Sequence, residues 1–385
     1  MKMTKSLVVA PFIPIAAFMA SHRAAQGVVY ADMIAHGTGE DVTINFGGNV
    51  THDFNDFDKV YVYHGNDWSG GLNLYGGTAG FPYAWNFRNL THFKGPVTSI
   101  AIPFPDYHRQ LTEKLAQDRG NGRIPDPAFD DIDWDNLKRM ESAPVIVHPN
   151  RTSSIAIGDS HGVSMYRPGW TIHSTPMRTL KGQMKKGFIA PLLEVYESLD
   201  QVEHIELNFG NIDLRHHLCR KETKEGTDLW PSPTELADQY YMHASSIYAC
   251  QGMDNLKSVV IYELMPCEEE ERKLPQSGYF MKKPFWGTWA ERMAARKEFN
   301  DRLEMLCGRA DNGVSFYRWT EYLLNKKGEM NLHAMEYKKS VHLSRMAYPH
   351  WTGVEYNTTQ IKDPKKQGLP ANVVRPPSVS LESFF

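Results

Sequence analysis

The chain has 385 residues, more than one ordinary domain of about 100–200 residues holds, so two domains are expected. With 41% apolar and 23% charged residues, 18 Phe, 18 Tyr and 9 Trp, the composition is globular and excludes a disordered, collagen-like or coiled-coil chain. The 42 Lys and Arg against 45 Asp and Glu leave a net charge of −3, which argues against a dedicated nucleic-acid binder. Lys2 and Lys5 precede the apolar run Ser6–Ala20, which resembles a secretory h-region. Pro11 and Pro14 interrupt it, and cleavage after Ala20 would place Phe18 where a small side chain is needed. Leu7–Ala10 is therefore read as a buried first strand entering a Pro-rich loop, and the protein as cytoplasmic, with secretion left open. No later stretch approaches the ~20 apolar residues of a membrane span, so a soluble protein with no membrane partner is expected.

From there, apolar runs alternate with amphipathic stretches, the signature of an α/β fold. Strand Ser6–Ala10 leads to a helix near His22–Ala35, which ends at Gly37-Thr38-Gly39. Strands follow at Val42–Phe46, Val60–Tyr63 and Thr98–Pro103, then helices near Tyr107–Arg119 and Trp134–Met140 and a strand at Pro144–His148. The alternation restarts with strand Ser153–Ile157, a helix near Phe188–Leu199 and strand His204–Phe209. Helix Thr234–Gln251, strand Ser258–Leu264, helix Trp289–Cys307 and strand Val314–Tyr317 complete it. The boundary is placed near Ser142–Pro149, giving an N-terminal α/β domain over 1–145 and a second domain over 146–357. Residues 358–385 are Pro- and Lys-rich and read as a surface tail.

The sharpest local feature is Gly158-Asp159-Ser160-His161-Gly162, directly after the strand Ser153–Ile157. A serine between glycines at a strand end sits on a tight turn, with its hydroxyl exposed and backbone N–H groups near it. Nucleophilic acyl chemistry needs that arrangement. Gly158-x-Ser160-x-Gly162 fits the nucleophile elbow of α/β-hydrolases, and Gly158-Asp159-Ser160 equally fits the first block of the GDSL/SGNH hydrolases. The elbow needs a sustained helix behind the serine, whereas Pro168-Gly169 interrupts the chain eight residues on.

Over about residues 153–345 the chain resembles the GDSL/SGNH hydrolase superfamily. Thr179-Leu180-Lys181-Gly182 resembles the second block, and Gly210-Asn211-Ile212-Asp213-Leu214-Arg215-His216 a variant third block, Gly-x-Ile-Asp followed by Arg and His. Ser340-Val341-His342-Leu343-Ser344 resembles the last block, with Lys339 where the family places the acid of Asp-x-x-His. The resemblance implies an SGNH-like (flavodoxin-like) parallel-sheet domain, here preceded by a smaller Rossmann-like α/β domain. It also implies a serine esterase acting on O-acyl groups, such as acetyl, of a carbohydrate or other polar molecule, with no cofactor. Ser160 would be the nucleophile and His342 the base, oriented by a backbone carbonyl or Glu336. Ser160, Gly182 and Asn211 would form the oxyanion hole, and Asp159, His161, Asp213 and Arg215 the substrate contacts, with a structural role for His161 and a salt bridge from Arg215 to a nearby acid such as Asp213 as the alternatives.

Physical chemistry supports part of this reading on its own terms. Serine is a weak nucleophile until an imidazole accepts its proton. Arg215, near a strand end, suits an anionic or polyol substrate. In Arg215-His216-His217-Leu218-Cys219-Arg220 the His-His-x-Cys spacing is not a recurrent zinc pattern, and the four cysteines (Cys219, Cys250, Cys267, Cys307) include no CxxC pair. No metal is expected, and neither a Walker A sequence nor GxGxxG is present. Tyr63–Gly77, with His64, Asn66, Asp67 and Trp68, reads equally as a ligand loop or a structural one. Two rival functions remain: a glycosyl- or acyltransferase, suggested by the N-terminal domain, and a non-catalytic SGNH-fold binding protein, suggested by Lys339 at the acid position and by Ile212 where the family's usual third block, Gly-x-Asn-Asp, has Asn.

Overall fold

A computed structural model of the chain describes residues 3–10, 30–31, 33–35, 37–46, 53–63, 88–100, 120–121, 131–146, 152–165, 167, 169–175, 178–220, 230–269, 286–309, 313–331, 334, 341–343 and 347–348. The chain divides into two compact units, Met1–Asn150 and Arg151–Glu355. In the first, β1 (Lys5–Ala10) pairs in parallel with β2 (Asp41–Phe46) and β3 (Lys59–Tyr63), followed outward by β4 (Val97–Ile100) and β5 (Val145–Ile146), in the order β2-β1-β3-β4-β5. Successive side chains of a strand point to opposite faces. Accordingly Leu7, Val9, Val60 and Val62 pack with Phe54, Leu90 and Phe93 in one cluster, and Val8, Tyr61 and Ile100 with Ala31 and Ile34 in another. A sheet buried on both faces explains the continuous apolar and aromatic runs Leu7–Ala10 of β1 and Val60–Tyr63 of β3. The helix α1 spans Trp134–Arg139.

The second unit repeats this plan. Its strands β6 (Ser154–Gly158), β7 (Thr171–Ser174), β8 (His204–Asn208), β9 (Ser258–Tyr262) and β10 (Val314–Tyr317) form a fully parallel sheet in the order β10-β9-β8-β6-β7. Numbered within its own unit, each sheet has the flavodoxin-like order 2-1-3-4-5. Around the second sheet lie α2 (Leu180–Lys186), α3 (Ile189–Val195), α4 (Asn211–His216), α5 (Pro233–Ser245) and α6 (Trp289–Arg309). Ile155, Ile157, Ile205, Leu207, Val259 and Ile261 bury one face against Leu236 and Tyr240 of α5 and Phe299 and Leu303 of α6. The start of α5 is fixed by a capping box between Ser232 and Glu235, with Pro233 at the first helical position. On the other face Glu206 of β8 receives a two-pronged ion pair from Arg167 at 2.9 and 2.7 Å, and the guanidinium stacks on Trp170.

Within the strand expected at Pro144–His148, Val145–Ile146 pair with β4 in the first sheet, and the division between the units falls between Asn150 and Arg151. The helix expected over Thr234–Gln251 ends at Ser245 and continues as a single 3-10 turn, Ser246–Ala249. The strand β7 and the helices α2 and α4 were not expected as elements. The helix read near Tyr107–Arg119, the loop His64–Gly77, Glu336, Lys339 and the tail 358–385 lie outside the described residues. Among the described residues no helix is long and apolar enough to cross a membrane.

Candidate active site

In a sheet of this order the chain leaves the first strand on one side and later returns to the other, which opens a crevice at the carboxyl ends of those strands. In the second unit the first strand is β6, between β7 and β8, and Ser160 follows it by two residues. The turn behind Ser160 is tightly specified. The Gly162 N–H donates to Asp159 O at 3.0 Å, the Thr175 N–H to Gly158 O at 2.8 Å, and Ser174 Oγ to Asp159 O at 2.7 Å. A Cβ on Gly158 would stand 2.9 Å from Asn208 O and 3.0 Å from Gly162 Cα, so only glycine lets β6 and β8 close here.

Ser160 is partly exposed, and His342 Nε2 lies 2.8 Å from its Oγ. The two residues are 182 positions apart in the chain. The contact is a direct hydrogen bond between a hydroxyl and an imidazole nitrogen, the geometry through which such a nitrogen accepts a serine proton.

The second expected group, Asn211, opens α4 after Gly210, whose φ of 104° is left-handed. Its amide is oriented from both sides. Oδ1 accepts the Met265 N–H at 3.2 Å, and Nδ2 donates to Asn208 Oδ1 at 3.3 Å. Asn208 in turn donates to the Tyr348 hydroxyl at 3.1 Å, and that hydroxyl donates to His161 O at 3.3 Å. Asn208 and Tyr348 were missed in the sequence; a polar residue ending a buried strand, just ahead of a glycine, was the available signal for the first.

Gly182 differs from expectation. Its N–H donates to Thr179 Oγ1 at 3.0 Å, capping α2, so the group read as an oxyanion donor is spent inside the helix start. The four expected substrate contacts are also turned into the protein. Asp159 and Asp213 are 0% exposed, His161 1% and Arg215 3%. Asp159 Oδ1 accepts both the backbone N–H of His161 at 2.9 Å and its ring Nδ1 at 2.8 Å. Asp213 accepts the N–H groups of Leu180 at 2.7 Å and Lys181 at 3.3 Å, tying α4 to the start of α2. Burial raises the Asp213 carboxyl to about 7 despite these bonds, with the nearby Asp159 charge adding to the rise. Arg215 is paired with Glu268, its Nε 2.8 Å and its Nη2 3.2 Å from the carboxylate. These side chains, Asp159 and His161 on the turn after β6 and Asp213 and Arg215 on α4, brace the site from behind, because buried polar groups satisfy their hydrogen bonds inside the protein.

In the Arg215–Arg220 cluster, His217 stacks on Trp230 at 4.0 Å, and burial with the charges of Arg220 and Lys181 lowers its pKa to about 4. Among the described residues no group of three or more His, Cys, Asp or Glu side chains converges as a metal site would.

No protein-family model matches the chain, and no curated protein matches it. Among solved structures, it is similar to a candidate platelet activating factor from Streptococcus pneumonia, at 14% identity and a TM-score of 0.35, covering 55% of this chain and 83% of that one.

Proposed function

We propose that the second unit is a serine esterase of the SGNH type, with Ser160 as nucleophile and His342 as general base. Its substrates would be O-acyl groups, acetyl among them, on a carbohydrate or another polar molecule. The observation that carries this reading is the 2.8 Å contact between His342 Nε2 and Ser160 Oγ, made across the fold at the crevice where α/β sheets bind ligands. In the proposed reaction Ser160 Oγ attacks the acyl carbon as its proton passes to His342 Nε2. The tetrahedral oxyanion is met by the Ser160 backbone N–H and the Asn211 amide. His342 then returns the proton to the departing alcohol, leaving the acyl group on Ser160. Water, deprotonated by the same nitrogen, attacks the acyl-enzyme and releases the acid and the free serine.

Hydrolysis of an aryl acetate tests the proposal. The wild-type protein should release the aryl alcohol, and Ser160→Ala and His342→Ala should each lower kcat by at least about 10³-fold, as loss of either member of a nucleophile–base pair does. A wild-type rate equal to that of the Ser160→Ala variant would overturn the proposal.

A further inference from the structure

The carbonyl oxygen of Val341, the residue before His342, receives two buried side chains. His161 Nε2 approaches it at 3.1 Å and Arg215 Nη2 at 3.3 Å. The other ring nitrogen of His161 faces the Asp159 carboxylate at 2.8 Å. Both partners of the ring are acceptors. A neutral imidazole has one donor nitrogen and one acceptor, so it can satisfy only one of them. The second contact would then set a ring lone pair against an oxygen lone pair in a site closed to water, where an unmade hydrogen bond is costly. The Val341 carbonyl can only accept, so the bond to it places a hydrogen on Nε2. Asp159 Oδ2 has no hydrogen-bond partner among the described residues, and Oδ1 faces both the ring and the backbone N–H of His161. Arg215 is fixed in its turn by Glu268 and by Asn211 O, 3.2 Å from Nη1. The His161 and His342 rings lie 5.0 Å apart, tilted by 56°.

We infer that His161 is a positioning residue that, braced by Asp159 and joined by Arg215, clamps the Val341 carbonyl and so aims the His342 imidazole at Ser160. This rests on the esterase reading above. One side chain ties the turn that presents the nucleophile to the segment that carries the base. His161 itself touches neither Ser160 Oγ nor an acyl group in this scheme.

Two substitutions separate the two bonds of the ring in the full-length protein. His161→Gln keeps a donor near the place of Nε2, within reach of Val341 O. His161→Asn keeps one near Nδ1, beside Asp159, and loses Val341. On an aryl acetate, His161→Asn should lower kcat by roughly 10–100-fold with KM little changed, the size of effect that follows a slight misplacement of a catalytic group. His161→Gln should restore most of that loss. Equal kcat in the two variants, high or low, would overturn the inference while leaving the esterase reading intact. Absence of hydrolysis by the wild-type protein would instead count against the esterase reading. Side-chain ¹H–¹⁵N spectra of the histidine-labelled wild-type protein at neutral pH give a readout that needs neither activity nor a folded variant. Hydrogen on Nε2 of His161, the nitrogen that faces the Val341 carbonyl, is expected, and an Nε2 without hydrogen would overturn the clamp.

Discussion

Asp213 sets two opposing effects against each other: burial, which favours the neutral carboxylic acid, and two backbone N–H donors, which favour the carboxylate. Burial prevails, and the folded-state pKa rises to about 7 from an ordinary 3.8. The folded state therefore holds a proton that the unfolded state has released over that window, so this group makes the protein less stable as pH rises from about 4 to 7. Asp213→Asn keeps one acceptor for the Leu180 and Lys181 N–H groups and cannot ionise. The melting temperature of the variant minus that of the wild type should rise across this window, and a flat difference would contradict the assignment. Gly158→Ala tests the close approach of β6 and β8. Its Cβ would meet backbone on both sides, and a loss of roughly 1–3 kcal/mol in denaturant unfolding is expected for such overpacking. Ser160 is legible in the sequence as a serine between glycines at a strand end, and His342 through the resemblance of a short block, Ser340-Val341-His342-Leu343-Ser344; the structure brings the two side chains to 2.8 Å. The inward turn of Asp159, Asp213 and Arg215 was not legible: whether a polar side chain beside the site faces ligand or protein depends on partners such as Glu268 and Val341, distant in the chain.

At the scale of elements, strands with both faces buried were readable where they carry an apolar run, as in Leu7–Ala10 of β1, Ile155–Ile157 of β6 and Val259–Tyr262 of β9, whereas β8 alternates Ile205 and Leu207 with Glu206. The strand β7 escaped notice because it is four residues long, lies at the sheet edge and has no such run. The helices α2 and α4 are each too short to show a helical period of apolar residues; their residues were read as sequence blocks rather than as elements. The helix α6 carries an uneven signal for a physical reason. Its buried stripe includes Arg292 and Arg296, which hold the Glu268 and Leu264 carbonyls at 2.7 Å each and so replace apolar contacts with hydrogen bonds. Glu206 on β8 shows the same logic inside the sheet. Replacing it with Leu strands the buried Arg167 guanidinium, and a loss of about 3–5 kcal/mol is expected, the cost of breaking a buried pair from one side. Chemical denaturation of Glu206→Leu checks this, and a loss below about 1 kcal/mol, the worth of a surface pair, would contradict it.

At the scale of the whole molecule, two sheets of the same strand order each carry their own apolar clusters. The second unit buries its helices against its own sheet and contains every residue of the proposed chemistry. A fragment from Arg151 to Phe385 should therefore melt cooperatively and keep the aryl acetate hydrolysis of the full chain; a fragment without a cooperative transition would show one integrated fold instead. The division into two α/β units was legible because the strand–helix alternation restarts after the first five strands. The boundary read near Ser142–Pro149 lies beside the division between Asn150 and Arg151. The central claim, that Ser160 is a nucleophile activated by His342, is tested most directly by labelling the full-length protein with a fluorophosphonate probe and locating the adduct by peptide mass spectrometry. A single adduct on Ser160 is predicted, absent from Ser160→Ala and formed far more slowly in His342→Ala. No adduct on the wild type, or one that persists undiminished in Ser160→Ala, would contradict the account.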